Sequence, residues 1–235
     1  MKKILIASTS TIHGSGYLEY LLPTLSDHFS NCKEIIFIPF ARPSGITHDE
    51  YTNIAKKAFA KININVRGLH EFEDYNHALK NAQGIFTGGG NTFLLVSQLY
   101  KQKIINSLKE IVTNGIPYLG TSAGSNICGL NMSTTNDMPI IYPPSFSTLG
   151  YIPFNINPHY LDPDPTSTHK GETRETRIKE FHKFNSVPVV GLREGSWLSV
   201  IGKTITLEGA LNARVFEYNK PPYEVKPKHD FSNLN

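Results

Sequence analysis

Short apolar runs that end in small or turn-forming residues, each followed by a helical pattern, recur through the first half of this chain and narrow its architecture sharply. Lys3–Ala7, Glu34–Pro39, Asn65–Leu69, Gly84–Thr87 and Ile116-Pro117-Tyr118-Leu119 read as strands. Helical patterns lie between and after them, over Gly16–Phe29, Thr47–Lys61, Glu73–Asn81, Thr92–Lys101 and Gln102–Asn114. Thr47 with Glu50 three residues on has the form of a capping box. Strands separated by helices predict an α/β fold, a mostly parallel central sheet flanked by helices and built by right-handed crossovers. The final third changes character. Val187–Gly191, Trp197–Ile201, Thr204–Leu207 and Arg214–Tyr218 read as strands separated by turns, an antiparallel C-terminal extension. Residues 1–220 are expected to form a single α/β domain, and 221–235 a loose tail.

At 235 residues the chain can bury a sizeable core. Its net charge of +3 is dispersed, and no basic run exceeds two adjacent residues, which argues against nucleic acid as a partner. The apolar start at Met1–Ser8 is too short for a signal peptide and reads as a first strand. No apolar run approaches a membrane span. Cys32 and Cys128 have no metal-ligand spacing and read as two buried thiols, so a cytoplasmic protein is expected. Monomer and homodimer both remain open.

Open parallel sheets place their sites beyond the carboxyl ends of the strands. One strand runs into Gly120-Thr121-Ser122-Ala123-Gly124, a serine between spaced glycines that reads as a nucleophile elbow. Another runs into Gly88-Gly89-Gly90-Asn91, where backbone N–H groups can approach a ligand unobstructed by Cβ atoms. A glycine N–H from that loop and the N–H of Ala123 would together form an oxyanion hole. A plain tight turn or a phosphate nest would use the same glycines, although no Gly-Lys-Ser/Thr sequence supports a nucleotide loop. Ser122 needs a base. His159, in the Pro-punctuated stretch Asn157-Pro158-His159-Tyr160, is the first candidate, and His13, after the first strand, the second. His28, His48, His70, His77 and His182 read as surface residues. The imidazole in turn needs a carboxylate, and Asp137 and Glu194 both qualify. Sequence does not decide between them. Asp137 follows Ser122 too closely, and His159 lies too early in the chain, for an ordinary α/β-hydrolase.

Taken in order, Gly88-Gly89-Gly90-Asn91, Gly120-Thr121-Ser122-Ala123-Gly124-Ser125-Asn126, Thr135-Asn136-Asp137-Met138-Pro139 and Asn157-Pro158-His159 resemble the peptidase E family. These are the α-aspartyl dipeptidases of the serine-peptidase group that also includes the cyanophycinases. The resemblance implies a fold like the class I glutamine amidotransferases, with serine in place of the nucleophilic cysteine. It also implies hydrolysis of dipeptides with an N-terminal aspartate, without a metal or other cofactor. By position it makes Ser122 the nucleophile and His159 the base. Asp137 and Glu194 become the acidic catalytic positions, and Gly90 and Ala123 the oxyanion donors. Thr121 stands where bacterial members of the family often carry a bulkier residue. Recognition of a side-chain carboxylate suits a planar guanidinium, and Arg174, in a segment from His169 to Arg177 similar to a family segment, is the expected clamp. Asn91 and Glu172 complete the expected substrate contacts, and the irregular stretch Tyr142–Pro165 is expected to wall the cleft. Two other readings stay open: a cyanophycinase-like or isoaspartyl peptidase with the same nucleophile, and a non-catalytic amidotransferase-like ligand-binding domain.

Overall fold

The computed structural model describes every residue except Pro165, Ser167, His169 and Lys170. Its larger sheet has seven strands. β1 (Lys3–Ala7), β2 (Glu34–Ile38), β3 (Asn65–Gly68), β4 (Ile85–Thr87) and β5 (Tyr118–Thr121) run parallel, and β8 (Ser196–Ile201) and β9 (Thr204–Gly209) extend it antiparallel. The spatial order is β3-β2-β4-β5-β1-β8-β9. The two-residue period of a strand sends alternate side chains to opposite faces. Leu5, Ala7, Phe37, Phe86 and Leu119 pack with α1 (Leu22–His28) and α2 (His48–Ala60). Ile4, Ile6, Ile36, Ile85 and Tyr118 pack with α3 (Tyr75–Lys80), α4 (Thr92–Lys101) and α5 (Ile105–Thr113). The expected capping box at Thr47 and Glu50 forms at the start of α2.

Three expectations are corrected. The helix expected over Gly16–Phe29 narrows to α1 after a 3₁₀ turn at Glu19–Leu21, because Pro23 belongs in a first helical turn and not in an interior. The C-terminal strands do not form one antiparallel extension. A second sheet of order β11-β10-β7-β6 takes β7 (Val189–Leu192) and β10 (Ala213–Phe216), and adds β6 (Asn155–Pro158) parallel to β7. β6 lies within the stretch expected to be irregular, whose last residue, Pro165, is outside the described residues. Its Asn-Ile-Asn-Pro sequence has little strand propensity, and side-chain amides hold it instead. Asn155 Oδ1 accepts from the Leu130 and Asn131 N–H groups, and Asn157 Nδ2 donates to Thr134 O and Asn136 Oδ1. Finally, the segment from Pro221 is not loose. β11 (Tyr223–Val225) pairs with β10, and Phe231 is buried against Phe154.

Cys32 and Cys128 are free and buried. Among the described residues no helix is long and apolar enough to cross a membrane.

Candidate active site

Ser122 stands between β5 and the short helix α6 (Ala123–Asn126), with φ 54° and ψ −111°. A non-glycine residue there costs of order 1–3 kcal/mol, held only where the surroundings over-determine it. They do so here. Ser122 N–H donates to Ala7 O, and the Ser125 hydroxyl bonds to both Ala7 O and Gly120 O. A Cβ on Gly120 would fall 2.3 Å from Gly124 O, and one on Gly124 2.2 Å from Thr87 O. Neither flank of the elbow has room for a side chain.

The glycine loop after β4 faces this serine. A Cβ on Gly89 would lie 2.8 Å from Ser122 Cβ, and Gly90, at φ 144°, leaves only 2.3 Å between such an atom and Ala41 O. The Tyr51 hydroxyl donates to Gly89 O from behind, and Asn91 N–H donates to Ala41 O. Among the described residues the N–H groups of Gly90 and Ala123 have no hydrogen-bond partner.

The other half of the site comes from the second sheet. β6 and β7 are parallel with Pro158 opposite Leu192, so the residues that follow each strand emerge side by side. His159 follows β6 and Glu194 closes the turn after β7. His159 Nδ1 lies 2.6 Å from Glu194 Oε1, and its Nε2 lies 2.9 Å from Ser122 Oγ. A carboxylate can only accept, so Nδ1 carries the hydrogen and Nε2 is left to accept from the serine. His159 itself sits at φ 54°. Its N–H donates to Ser8 Oγ, whose hydroxyl donates to Leu192 O. Ser8 is fully buried at the end of β1, beside the elbow strand. One hydroxyl thus ties the two sheets together at the point where their side chains meet.

Asp137 does not reach the imidazole. Its Oδ2 accepts from Thr92 N–H, at the start of α4, and from the Thr135 hydroxyl. Asn91 caps the same helix through Leu94 N–H and holds Met138 O with its amide, so both ends of that side chain serve the loop. Glu172 is exposed, lies 3.9 Å from Arg177 and lines a cleft with Arg174. Arg174 opens α7 (Arg174–Phe181), at the loop-to-helix boundary expected; His169 and Lys170, earlier in that segment, lie outside the described residues. Burial, then the neighbouring Arg177, lower the Arg174 pKa, while the Asp137 carboxylate opposes them. This guanidinium is therefore within electrostatic range of Asp137 and lacks full compensation. His13 is exposed beside Glu194 and makes no contact with Ser122, so it is not the base. His28 and His182, expected on the surface, are buried against the carbonyls of Tyr118 and Val187.

The sequence profile of peptidase family S51 matches residues 4–208. The chain belongs to peptidase family S51. It is 48% identical over 231 residues to a Streptomyces coelicolor protein named "Peptidase E", covering 98% of this chain and 94% of that one. It is 44% identical over 236 residues to a Drosophila melanogaster protein named "Probable alpha-aspartyl dipeptidase", covering 99% and 97%. Its fold is similar to the crystal structure of a peptidase from an acI-B1 Actinobacterium, with a TM-score of 0.72 at 14% identity over 98% of this chain and 96% of that one.

Two parts of this S51 site went unread in the sequence. Ser8 follows a strand just as Ser122 does, a signal that was available. Arg193, next to Glu194, was not readable as a clamp. Its guanidinium bonds Asp162 at 2.8 Å, Glu224 at 2.9 Å and Asn212 O at 2.7 Å, and the two carboxylates, Glu224 first, raise its pKa. Glu224 lies beyond the segment matched by the family.

Proposed function

We propose that this S51 chain is a serine dipeptidase that hydrolyses dipeptides with an N-terminal aspartate through an acyl-enzyme. The observation that carries the reading is the hydrogen-bonded line Ser122–His159–Glu194, at 2.9 and 2.6 Å, standing on a strained elbow opposite a glycine loop. The name of the Drosophila relative supports the substrate class, and that of the Streptomyces relative the peptidase activity.

Glu194 holds Nδ1–H and orients the ring. Nε2 takes the Ser122 proton as Oγ attacks the scissile carbonyl carbon. The C–O π pair moves onto oxygen, where the N–H groups of Gly90 and Ala123 receive the charge. The Nε2 proton passes to the leaving amine, the C–N bond breaks, and the aspartyl ester remains on Ser122. Water, deprotonated by Nε2, then attacks the ester carbonyl; the C–Oγ bond breaks, Ser122 Oγ takes the proton back from Nε2, and aspartate leaves. An N-terminal aspartyl residue carries an ammonium and a side-chain carboxylate, and Asp137 and Arg174 offer the opposite charges in the same order. Asp137 thus serves binding in this scheme, and Glu194 orients the base. The arrangement is that of a class I glutamine amidotransferase-like site with serine as nucleophile. Buried free thiols fit a cytoplasmic location.

A panel of dipeptides varied at the first residue, run on the wild type and on S122A, tests this. Asp-Xaa turnover is expected for the wild type alone, with a fluorophosphonate label on Ser122. Unchanged hydrolysis by S122A overturns the mechanism, and equal rates on α- and β-aspartyl peptides overturn the specificity. Arg174→Ala is expected to raise KM for Asp-Xaa far more than for Ala-Xaa.

A further inference from the structure

The carboxyl edge of the seven-stranded sheet carries the candidate site in strand order. β4 brings the glycine loop and Asn91, next to which Asp137 is held. β5 brings Ser122, and β1 brings Ser8. The same edge continues across β8 and β9, which are antiparallel, so the start of β8 and the end of β9 lie at this end of the sheet. There, beyond the triad, is a cleft of ≈ 610 Å³. Its walls come from Ile12, Tyr20, Trp197 and Leu211, with Glu194 at the border toward His159. Trp197 lies opposite Ala7 in the β1–β8 register and packs on Tyr20, whose hydroxyl is pinned to Thr9 O. Leu211 is left exposed at the mouth.

This placement is asymmetric about the nucleophile. Asp137, held at Thr92 N–H, belongs to the glycine-loop side, with Arg174 within its electrostatic range. The side bounded by Glu194 is mostly apolar. In the acyl-transfer scheme His159 Nε2 must protonate the leaving amine, so the residue departing with that amine lies on the His159–Glu194 side. One further residue of extended peptide spans about 3.5 Å, and Glu194, which bonds the imidazole, itself borders the cleft.

The geometry points to this cleft as the subsite for the leaving residue, taking an apolar or aromatic side chain against Trp197, Tyr20, Ile12 and Leu211. The inference rests on the dipeptidase reading above. Removal of the apolar side chain of the leaving residue is then equivalent to emptying an apolar pocket, about tenfold or more in kcat/KM. The test uses the whole chain and four peptides: Asp-Leu, Asp-Phe, Asp-Ser and Asp-Lys. For the wild type, Asp-Leu and Asp-Phe are expected to exceed Asp-Ser and Asp-Lys by about tenfold in kcat/KM. Leu211 is solvent-exposed, so its replacement spares the core. L211E is expected to move the ranking toward Asp-Lys, and L211K to move it away. A wild-type ranking indifferent to the leaving residue, or L211E and L211K rankings that match the wild type, overturns the subsite while leaving the dipeptidase reading intact. Cleavage of none of the four peptides by the wild type overturns the dipeptidase reading and the subsite with it.

Discussion

The elbow around Ser122 lies inside the seven-stranded sheet, flanked by parallel strands on both sides, and its residues are contiguous, held in shape by Ala7 O of β1 and by the close approach of Thr87 O of β4. His159 and Glu194 stand at the ends of a parallel pair in the smaller sheet, 35 positions apart in sequence, and their meeting follows from register. The first half stores strain in one peptide turn. The second is assembled from two loops, with Ser8 and Arg193 as fasteners. The serine turn needs only neighbouring strands of one sheet, whereas the meeting of His159 and Glu194 with it depends on two sheets being docked correctly.

The sharpest way to test that contrast is to remove one group from each half. S122A keeps the Cβ and the backbone, and is expected to lose about 10⁶-fold in kcat with unchanged circular dichroism. H159A, and the double variant, are expected to lose no more, because groups acting as one unit are not additive; a double variant that is much worse would mean the halves act independently. E194Q is expected to cost about 10⁴-fold in kcat, since the imidazole loses its fixed tautomer. D137N instead raises KM and leaves most of kcat. Losses of the same kind from both acids would erase the distinction drawn between them.

Ser8 probes the joint between the halves. S8A leaves the His159 N–H and Leu192 O without their partner, and is expected to lower kcat by about 10- to 100-fold through misplacement of the base. It is also expected to cost about 1–3 kcal/mol in denaturant unfolding. A loss of stability with kcat intact would make Ser8 a packing residue alone. On the elbow side, S122G is expected to melt about 2–4 °C above S122A, because glycine relieves the positive-φ strain.

The last probe reads acid stability and not turnover, and concerns His28, which bonds the Tyr118 carbonyl at the start of β5. Burial lowers its pKa to about 3, against about 6.5 when unfolded. The neutral ring favours the fold fully above pH 6.5. As pH falls from there toward 3, the unfolded chain takes up the proton first and stability declines by up to about 1.4 kcal/mol per pH unit. Urea midpoints for H28Q are expected to vary less with pH in that window; parallel curves for the two proteins would remove His28 from the acid response.

What the sequence made legible divides along the same line. Ser122, the Gly88–Asn91 loop and the Thr47–Glu50 box were readable because each is a pattern within a few residues. His159 was readable as a loop histidine downstream of the elbow. The choice between Asp137 and Glu194 was not, because it depends on β6, a strand of Asn-Ile-Asn-Pro held by its pairing with β7 and by its own amides bonded to residues 130–136. Asp137 has the look of a catalytic acid by proximity in sequence, but Thr92 N–H and Thr135 occupy one of its oxygens. The C-terminal segment looked loose because its apolar residues are sparse, yet Val225, Phe231 and Leu234 suffice to dock it.

The Arg193 clamp gives this docking a temporal meaning. A growing chain has its elbow, glycine loop and first five strands in hand well before Glu224 is made. Until then Arg193, one residue from the carboxylate that orients His159, lacks one of its two acidic partners. In synthesis, as in a chain clipped before β11, the elbow and the glycine loop precede the Glu224 contact that holds Arg193 beside the Glu194–His159 pair.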